Sequence, residues 1–496
     1  MNHSEGSQST VHFSDTGTGQ GQKCRMEHDC LGHMSVPRDV YWGIHTLRAM
    51  ENFSISGVHD ADHPQLIHAL AAVKEACAAA NEELGLLEPN KASLIISACR
   101  EVQEGRLSDQ FPIDVLQGGA GTSANMNMNE VIANRALELG GHERGQYEVI
   151  HPNDHVNKSQ STNDVYPAAC KLALAWHAQD LSASCGLLAQ AFHDLADRHS
   201  KDVTIGRTQL QDAVPMTFGQ EFHAFASMLN TDLQAWRELE GQLCVLNLGA
   251  TAIGTGICAD LRFRQLATKH LARITGLPIQ AAPDPIAAVT DTAAFLAVSG
   301  SLKTLAMHLK KAADDLRLLN SGPRTGFNEL DVPARQAGSS IMPGKVNPVI
   351  PEAVDQCCFR IFGMDTTVTW AASEGQLQLN AFEPVMIHEL LKGMTILASA
   401  MTMFRTKCVE GITINTDQGL THANSSASVS AALNASIGYE KAVAIAQKAT
   451  TEGKTVRQVA GEDTDLSGEE LDRLLDPLAL SRGLGQTCRQ QQDDHA

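Results

Sequence analysis

The chain reads as a mainly α-helical protein in three parts, with a long helical bundle between two smaller helical units. Three observations predict this. Apolar residues recur at three- and four-residue steps over very long stretches, and helix-start signals sit at the heads of several of them. Aromatic residues make up only 4% of a chain that is 43% apolar, which favours cores of Ala, Leu, Val and Met over an aromatic-rich β-sandwich. At 496 residues there is room for several domains and a sizeable core.

In chain order, residues 1–24 are rich in Ser, Gly, Thr, Gln and His and hold no apolar core. They read as a disordered tail, neither a signal peptide nor a transit helix. Residues 25–163 mix Pro, Gly and aromatic positions with helical stretches such as Leu66 to Leu84, and form the expected N-terminal helical domain. From Asp164 the character changes. One helix is expected from Val165 toward Ser200. In the next, Phe218, Phe222, Phe225, Leu229, Leu233, Trp236, Leu239 and Leu243 fall on one stripe, giving a length of ~40 Å at the helical rise. Asp284 followed by Pro285 predicts the start of a third helix, which stops before Gly322-Pro323. A fourth begins near Pro351-Glu352. Several helices of this length make a bundle over 164–415, because interruptions by Gly, Thr and Ala rule out a strict coiled-coil heptad. Residues 416–496 return to shorter helices broken at Gly438 and Gly453, a small C-terminal helical domain. Apolar stripes this wide predict association with further copies.

Composition excludes some roles. The formal charge of −19, from 38 basic and 57 acidic residues, repels phosphate backbones and argues against nucleic acid. No run of some 18 apolar residues is present to span a membrane. Twelve scattered cysteines without a CxxC pair fit reduced, mostly buried thiols of a cytoplasmic protein rather than a zinc ribbon or disulfide framework.

The chemistry concentrates in a few segments. Gly338-Ser339-Ser340-Ile341-Met342-Pro343-Gly344-Lys345-Val346-Asn347-Pro348 packs two hydroxyls, a cation and an amide into a stretch whose glycines and prolines forbid a regular helix. Taken alone it is either a polar connector or a loop that closes over an anion. Gln117 to Ser123, followed by Asn125-Met126-Asn127-Met128-Asn129-Glu130, is a glycine-rich turn feeding an amide-rich helix start; without a following Lys-Ser or Lys-Thr it is not a phosphate loop. His151 to Asp164 is dense in donors and acceptors, a density that is costly unless satisfied. Its His151 and His155 have metal-ligand spacing but no HExxH, so a solvated loop outweighs a metal site. Gly206-Arg207-Thr208-Gln209-Leu210-Gln211-Asp212-Ala213 precedes a helix expected near Pro215 and reads as polar groups at a helix N-terminus. Gly249 to Gly256 reads as a turn between helices. For an anionic ligand, Arg207 and Lys345 are the candidates for local positive potential in an acidic chain.

The stretch Gly338 to Glu352, GSSIMPGKVNPVIPE, resembles the signature of the aspartase/fumarase superfamily and, within it, the ammonia-lyase branch; fumarases typically continue VNPTQCE after the lysine. The resemblance spans about Arg25 to Gly485. It implies a three-domain fold with a long central helical bundle, four such bundles joined in a homotetramer with composite active sites. The implied reaction is anti β-elimination of ammonia from L-aspartate to give fumarate. Ser339 is then the catalytic base. Thr122, Ser161, Thr162 and Ser340 hold the carboxylate beside the acidic carbon; Thr208, Lys345 and Asn347 hold the other; Asn163 and Gln209 orient the ammonium; and Glu352 supports the loop. No metal ligand is assigned and no cofactor is required, with activation by a divalent cation such as Mg2+ left open. In fumarases the Gly206 segment reads GRTH, and its histidine serves the leaving hydroxyl. Gln209 stands there and cannot shuttle a proton, which agrees with a leaving group that departs already protonated. His151, Asn153 and Asp154 match positions of a secondary dicarboxylate site in fumarases, also left open. The competing readings are a class II fumarase and a non-catalytic helical scaffold of the same fold. Departures from the family pattern are the polar tail, Trp42, Ala435 and a short C-terminus.

Overall fold

The structure is a computed structural model that describes residues 23–483. The expected tail therefore lies outside the described residues except at its end, where Cys24 already opens a strand. That strand, β1 (Cys24–Asp29), pairs antiparallel with β2 (Gly32–Pro37). The N-terminal unit continues with α1 (Ile44–Asn52), α2 (Pro64–Glu83), α3 (Pro89–Gln103) and α4 (Thr122–Leu139). Proline occupies the first turn of both α2 and α3, where its missing N–H would have had no helical partner. Six of the fourteen buried residues of α2 are alanine, and α3, α5 and α7 pack against this helix.

The bundle is built from α5 (Thr162–Arg198), α6 (Phe218–Leu243), α9 (Ala293–Leu319), α10 (Val349–Ser373) and α11 (Glu383–Lys407). Each packs on its neighbours: α5 on α6 and α11, α9 on α6 and α10, and α10 on α11. The eight-residue stripe expected on α6 does face inward. Phe218, Phe222, Phe225, Leu229, Trp236, Leu239 and Leu243 are buried there, with Leu233 half-buried at the edge of the same core. Thr217 starts this helix with a capping box, accepting from the Gln220 amide while its own N–H donates to Gln220 Oε1 at 2.9 Å.

Two expectations are corrected. The helix predicted from Asp284 to Gly322 is two helices, α8 (Pro285–Thr290) and α9, with α7 (Phe263–Thr275) preceding them. Asp284 caps α8 as expected. Asp291 then takes the Ala293 amide at 2.8 Å, offering the backbone a local partner that ends one helix and begins another. The Gly206 segment does not sit at a helix N-terminus. It lies in a hairpin, β3 (Val203–Thr208) against β4 (Gln211–Thr217), with Pro215 opposite Ile205 in the ladder. The short strands β5 (Val245–Leu246) and β6 (Gln280–Ala281) pair in parallel.

Between α9 and α10, β7 (Leu330–Asp331) pairs with β8 (Thr413–Ile414), which follows α11, and α12 (Thr416–Ser425) packs against β3. The helices α13 (Asn434–Ile437), α14 (Tyr439–Glu452), α15 (Val456–Asp463), α16 (Gly468–Leu474) and α17 (Pro477–Ser481) follow. They surround a separate apolar core that includes Leu433, Ile445, Val459 and Leu471. Gly438 and Gly453 adopt positive φ at the breaks between these helices, as the sequence predicted. Among the described residues most of the cysteines are buried, and no helix is long and apolar enough to cross a membrane.

Candidate active site

Thr122, Ser161, Thr162 and Asn163 gather where α4 and α5 begin. Gly121 caps α4 with φ 85°, lying directly on the Tyr166 ring. Thr122 follows it at the surface, its hydroxyl donating to Gly119 O at 2.7 Å. Ser161 caps α5 through a box with Asp164, whose Oδ1 accepts the Ser161 amide at 3.0 Å. The other Asp164 oxygen accepts the amides of Gly249 and Thr251 at 2.9 and 3.0 Å, which fixes the Gly249–Gly256 turn beside the cap. Burial pushes the Asp164 carboxyl up to about 6, with these amides pulling the other way. Asn163 donates its side-chain amide to Ala252 O at 2.8 Å, and Asn247 donates to Asn163 O at 2.9 Å.

Beneath this cap lies an amide network that sequence reasoning did not assign. Asn125 donates to Thr162 Oγ1 at 3.0 Å, and both Asn125 and Asn129 donate to Asn157 Oδ1. Lys74, wholly buried, donates to the same Asn157 oxygen and to Gln160 Oε1, each at 2.9 Å. Burial pushes the Lys74 ammonium down to about 8. The repeated Asn of 125, 127 and 129 was the available signal, since three amides at the head of an apolar helix need buried partners.

The remaining candidates form two further groups. Thr208 and Gln209 are exposed at the tip of the β3–β4 hairpin, where Gln209 and Leu210 have φ of 56° and 61°. The Gly338–Pro348 loop is held by its own contacts: Gly338 N to Lys345 O at 2.9 Å, and Asn347 Nδ2 to Gly338 O at 2.8 Å. Ser339 Oγ accepts the backbone amides of Ile341 and Met342 at 3.2 and 2.8 Å. Ser340 and Lys345 are exposed, and Glu352 lies in the first turn of α10, where the helix N-terminus favours its charge.

Within one chain these groups do not meet. The bond from Asn247 to Asn163 ties the far end of α6 to the Ser161 cap, whereas the hairpin leads straight into the start of α6. That helix has 26 residues, so ~39 Å separates them. The Ser339 loop belongs to the hairpin end: Asp355 at the head of α10 receives Arg317 from the last turn of α9 at 2.6 Å, and the chain after α9 returns Glu329 to Arg207. Arg207 is thus not a free cation. It is spent on the buried Glu329 carboxylate at 2.6 Å, which corrects its expected part in attracting an anion. Burial alone would raise the Glu329 carboxyl, yet hydrogen bonds from Arg207 and His422 outweigh it and hold the group below its ordinary range.

His151 is committed locally. Its Nδ1 accepts the amides of Asn153 and Asp154, and its own N–H donates to His155 Nδ1 at 2.8 Å, so it caps the single wide turn Pro152–Val156.

A family model described as lyase matches residues 32–363, and one described as the fumarase C C-terminus matches 430–482. The chain belongs to this lyase family. An aspartate ammonia-lyase from Pseudomonas aeruginosa is 49% identical to this lyase over 91% of the chain and 96% of its own length. Those of Helicobacter pylori J99 and Escherichia coli K12 are 47% and 46% identical, covering 91% and 90% of this chain and 97% and 94% of theirs. Among solved structures, a fumarate lyase:delta crystallin from Brucella melitensis bound to cobalt superposes with a TM-score of 0.91 at 48% identity, over 92% of this lyase and all of that chain. A class II fumarase from Schistosoma mansoni gives 0.89 at 33% identity, over 92% and 99%. The mainly helical architecture expected from the sequence is that of the family.

Proposed function

We infer that this lyase is an aspartate ammonia-lyase, converting L-aspartate reversibly to fumarate and ammonia. The observation that carries the inference is identity of 46–49% with proteins of that name along nearly the whole chain. The class II fumarase likeness, at 33%, is weaker, and Gln209 lacks the acid–base nitrogen that hydration chemistry would need there.

In this reading Ser339 takes the proton from the carbon beside the β-carboxylate. The electron pair collects on that carboxylate as an enediolate, then forms the C=C bond as the C–N bond breaks and ammonia leaves. Charge on the enediolate is the barrier, so donors aimed at it supply most of the acceleration. Thr122, Ser161, Thr162 and Ser340 serve that carboxylate; Thr208, Lys345 and Asn347 hold the other; Asn163 and Gln209 orient the ammonium; Glu352 supports the loop. A serine base must be stabilised as an alkoxide, and the two backbone amides already donating to Ser339 Oγ support that role. The reaction needs no cofactor in this scheme, and a divalent cation would act only as an activator.

The same reading requires several copies of the chain, because the Ser161 cap and the Ser339 loop stand a helix length apart. A homotetramer with sites shared between subunits satisfies that requirement. Leu296 and Met307 on α9, and Phe359 and Trp370 on α10, present apolar surface for such packing. The activity is tested by following fumarate in the ultraviolet with L-aspartate and, separately, L-malate. Release from aspartate is expected; release from malate alone would make the enzyme a fumarase, and silence with both would leave a scaffold.

A further inference from the structure

Thr208 belongs to a hairpin that, among the described residues, pairs with nothing but itself. An isolated two-stranded ribbon is only marginally ordered in water. This one also carries two successive non-glycine residues, Gln209 and Leu210, in the left-handed region, which strains its tip. Something outside the ribbon has to hold it in place.

Glu329 does so from the chain that follows α9. Its carboxylate has no exposed surface, and it accepts Thr204 Oγ1 at 2.9 Å, Arg207 Nη2 at 2.6 Å and Arg207 Nη1 at 3.3 Å. Both donors lie on β3, and Arg207 immediately precedes Thr208. The Arg207 guanidinium also lies over the Phe327 ring at 4.3 Å. The remaining partner comes from the small C-terminal unit: His422 Nδ1 on α12 lies 2.5 Å from Glu329 Oε1, and its other ring nitrogen lies 2.7 Å from Gln418 Nε2, one turn earlier. Gly419 lets α12 come this close, since a Cβ there would stand 2.5 Å from Val203 O. The strand that ends in Thr208 is therefore clamped between the end of the bundle and α12.

We propose that Glu329 and His422 are positioning residues for substrate binding, setting Thr208 and Gln209 so that the grip on one substrate carboxylate depends on α12. This rests on the reading of Thr208 and Gln209 as substrate contacts. Neither Glu329 nor His422 touches substrate in this scheme. Occupying Arg207 with Glu329 has a second effect, because a guanidinium beside Thr208 would otherwise compete for the dicarboxylate in a misaligned pose.

The test is steady-state kinetics on the full-length enzyme with L-aspartate, starting from the wild type. Glu329→Gln keeps the shape of the side chain and removes its charge; His422→Phe keeps the ring and removes the hydrogen bond; His422→Gln restores a donor. Expected are a KM about tenfold higher for Glu329→Gln, about threefold higher for His422→Phe, and within about twofold of wild type for His422→Gln, with kcat within about threefold throughout. If Glu329→Gln does not assemble, the two His422 variants decide. An unchanged KM in folded variants overturns the proposal, and so does a parallel loss in kcat without a rise in KM, which is the mark of a purely structural role. A wild type that releases no fumarate from L-aspartate would sink the underlying reading as well, whereas an active wild type with indifferent variants sinks this proposal alone.

Discussion

Asn125 donates its side-chain amide to the Thr162 hydroxyl oxygen at 3.0 Å, across the gap between the heads of α4 and α5. The bond occupies Thr162 as an acceptor and so leaves its proton available to a substrate carboxylate. Replacing Asn125 by Ala is expected to lower kcat/KM for L-aspartate by about tenfold, the worth of one lost orienting hydrogen bond at a buried site. Kinetics at unchanged oligomeric state measure it. An Asn125→Ala enzyme as active as wild type would mean that Thr162 is not held for binding.

Ser339→Ala removes the proposed base and the two bonds its hydroxyl accepts, while the loop keeps the Gly338–Lys345 and Asn347–Gly338 contacts. Turnover should fall by roughly a thousandfold, in the range of a lost general base, with the assembly intact by size-exclusion chromatography. Near-normal turnover would assign proton abstraction to another group.

Shared sites make a sharper prediction. Ser339→Ala and Thr162→Ala chains, each inactive alone, are unfolded together and refolded as a mixture. Random assembly should then rebuild about a quarter of the sites from intact halves. Activity no higher than the separate variants would show that each chain completes its own site.

Gly121 lies at φ 85° with the Tyr166 ring 2.4 Å from where a Cβ would be, whereas Gly141, at φ 80°, has nothing within 4 Å. Gly121→Ala should therefore destabilise by about 2–4 kcal/mol through overpacking and backbone strain. Gly141→Ala should cost only ~1 kcal/mol, from strain alone. Chemical denaturation of both variants compares them, and equal losses would refute the role given to the ring contact.

Burial raises the Glu383 carboxyl from 4.5 to about 8, with Lys171 pulling the other way. A carboxyl whose folded value is raised keeps its proton in the folded state while the unfolded chain gives it up. Stability therefore falls as pH rises from about 4.5 to about 8. At pH 7 the penalty is ~3 kcal/mol. Glu383→Gln should remove this dependence, so the variant gains on wild type between pH 5 and pH 8 in denaturation experiments. A difference that does not change with pH would show that Glu383 is ionised in the folded protein.

Much of the architecture was legible because its signals are local. The α6 stripe, the breaks at Gly438 and Gly453, and the Asp284-Pro285 start are all set by residues within a turn or two of one another. The hairpin was missed for the opposite reason. Its polar tip resembles a helix cap until Pro215 is seen to face Ile205 across a ladder. The break between α8 and α9 turned on a single competing side chain, Asp291, inside an otherwise continuous helical pattern.

By itself the sequence determined the mainly helical class, the long stripes of the bundle and the polar segments where chemistry gathers, because spacing, capping and composition act over a few residues. Only the tertiary structure decided which of those polar groups have neighbours. It spent Arg207 on Glu329, placed Lys74 and Asn125 beneath the Ser161 cap, and set that cap a helix length from Ser339. Such pairings join residues tens to hundreds of positions apart, and they depend on where rigid helices end in space.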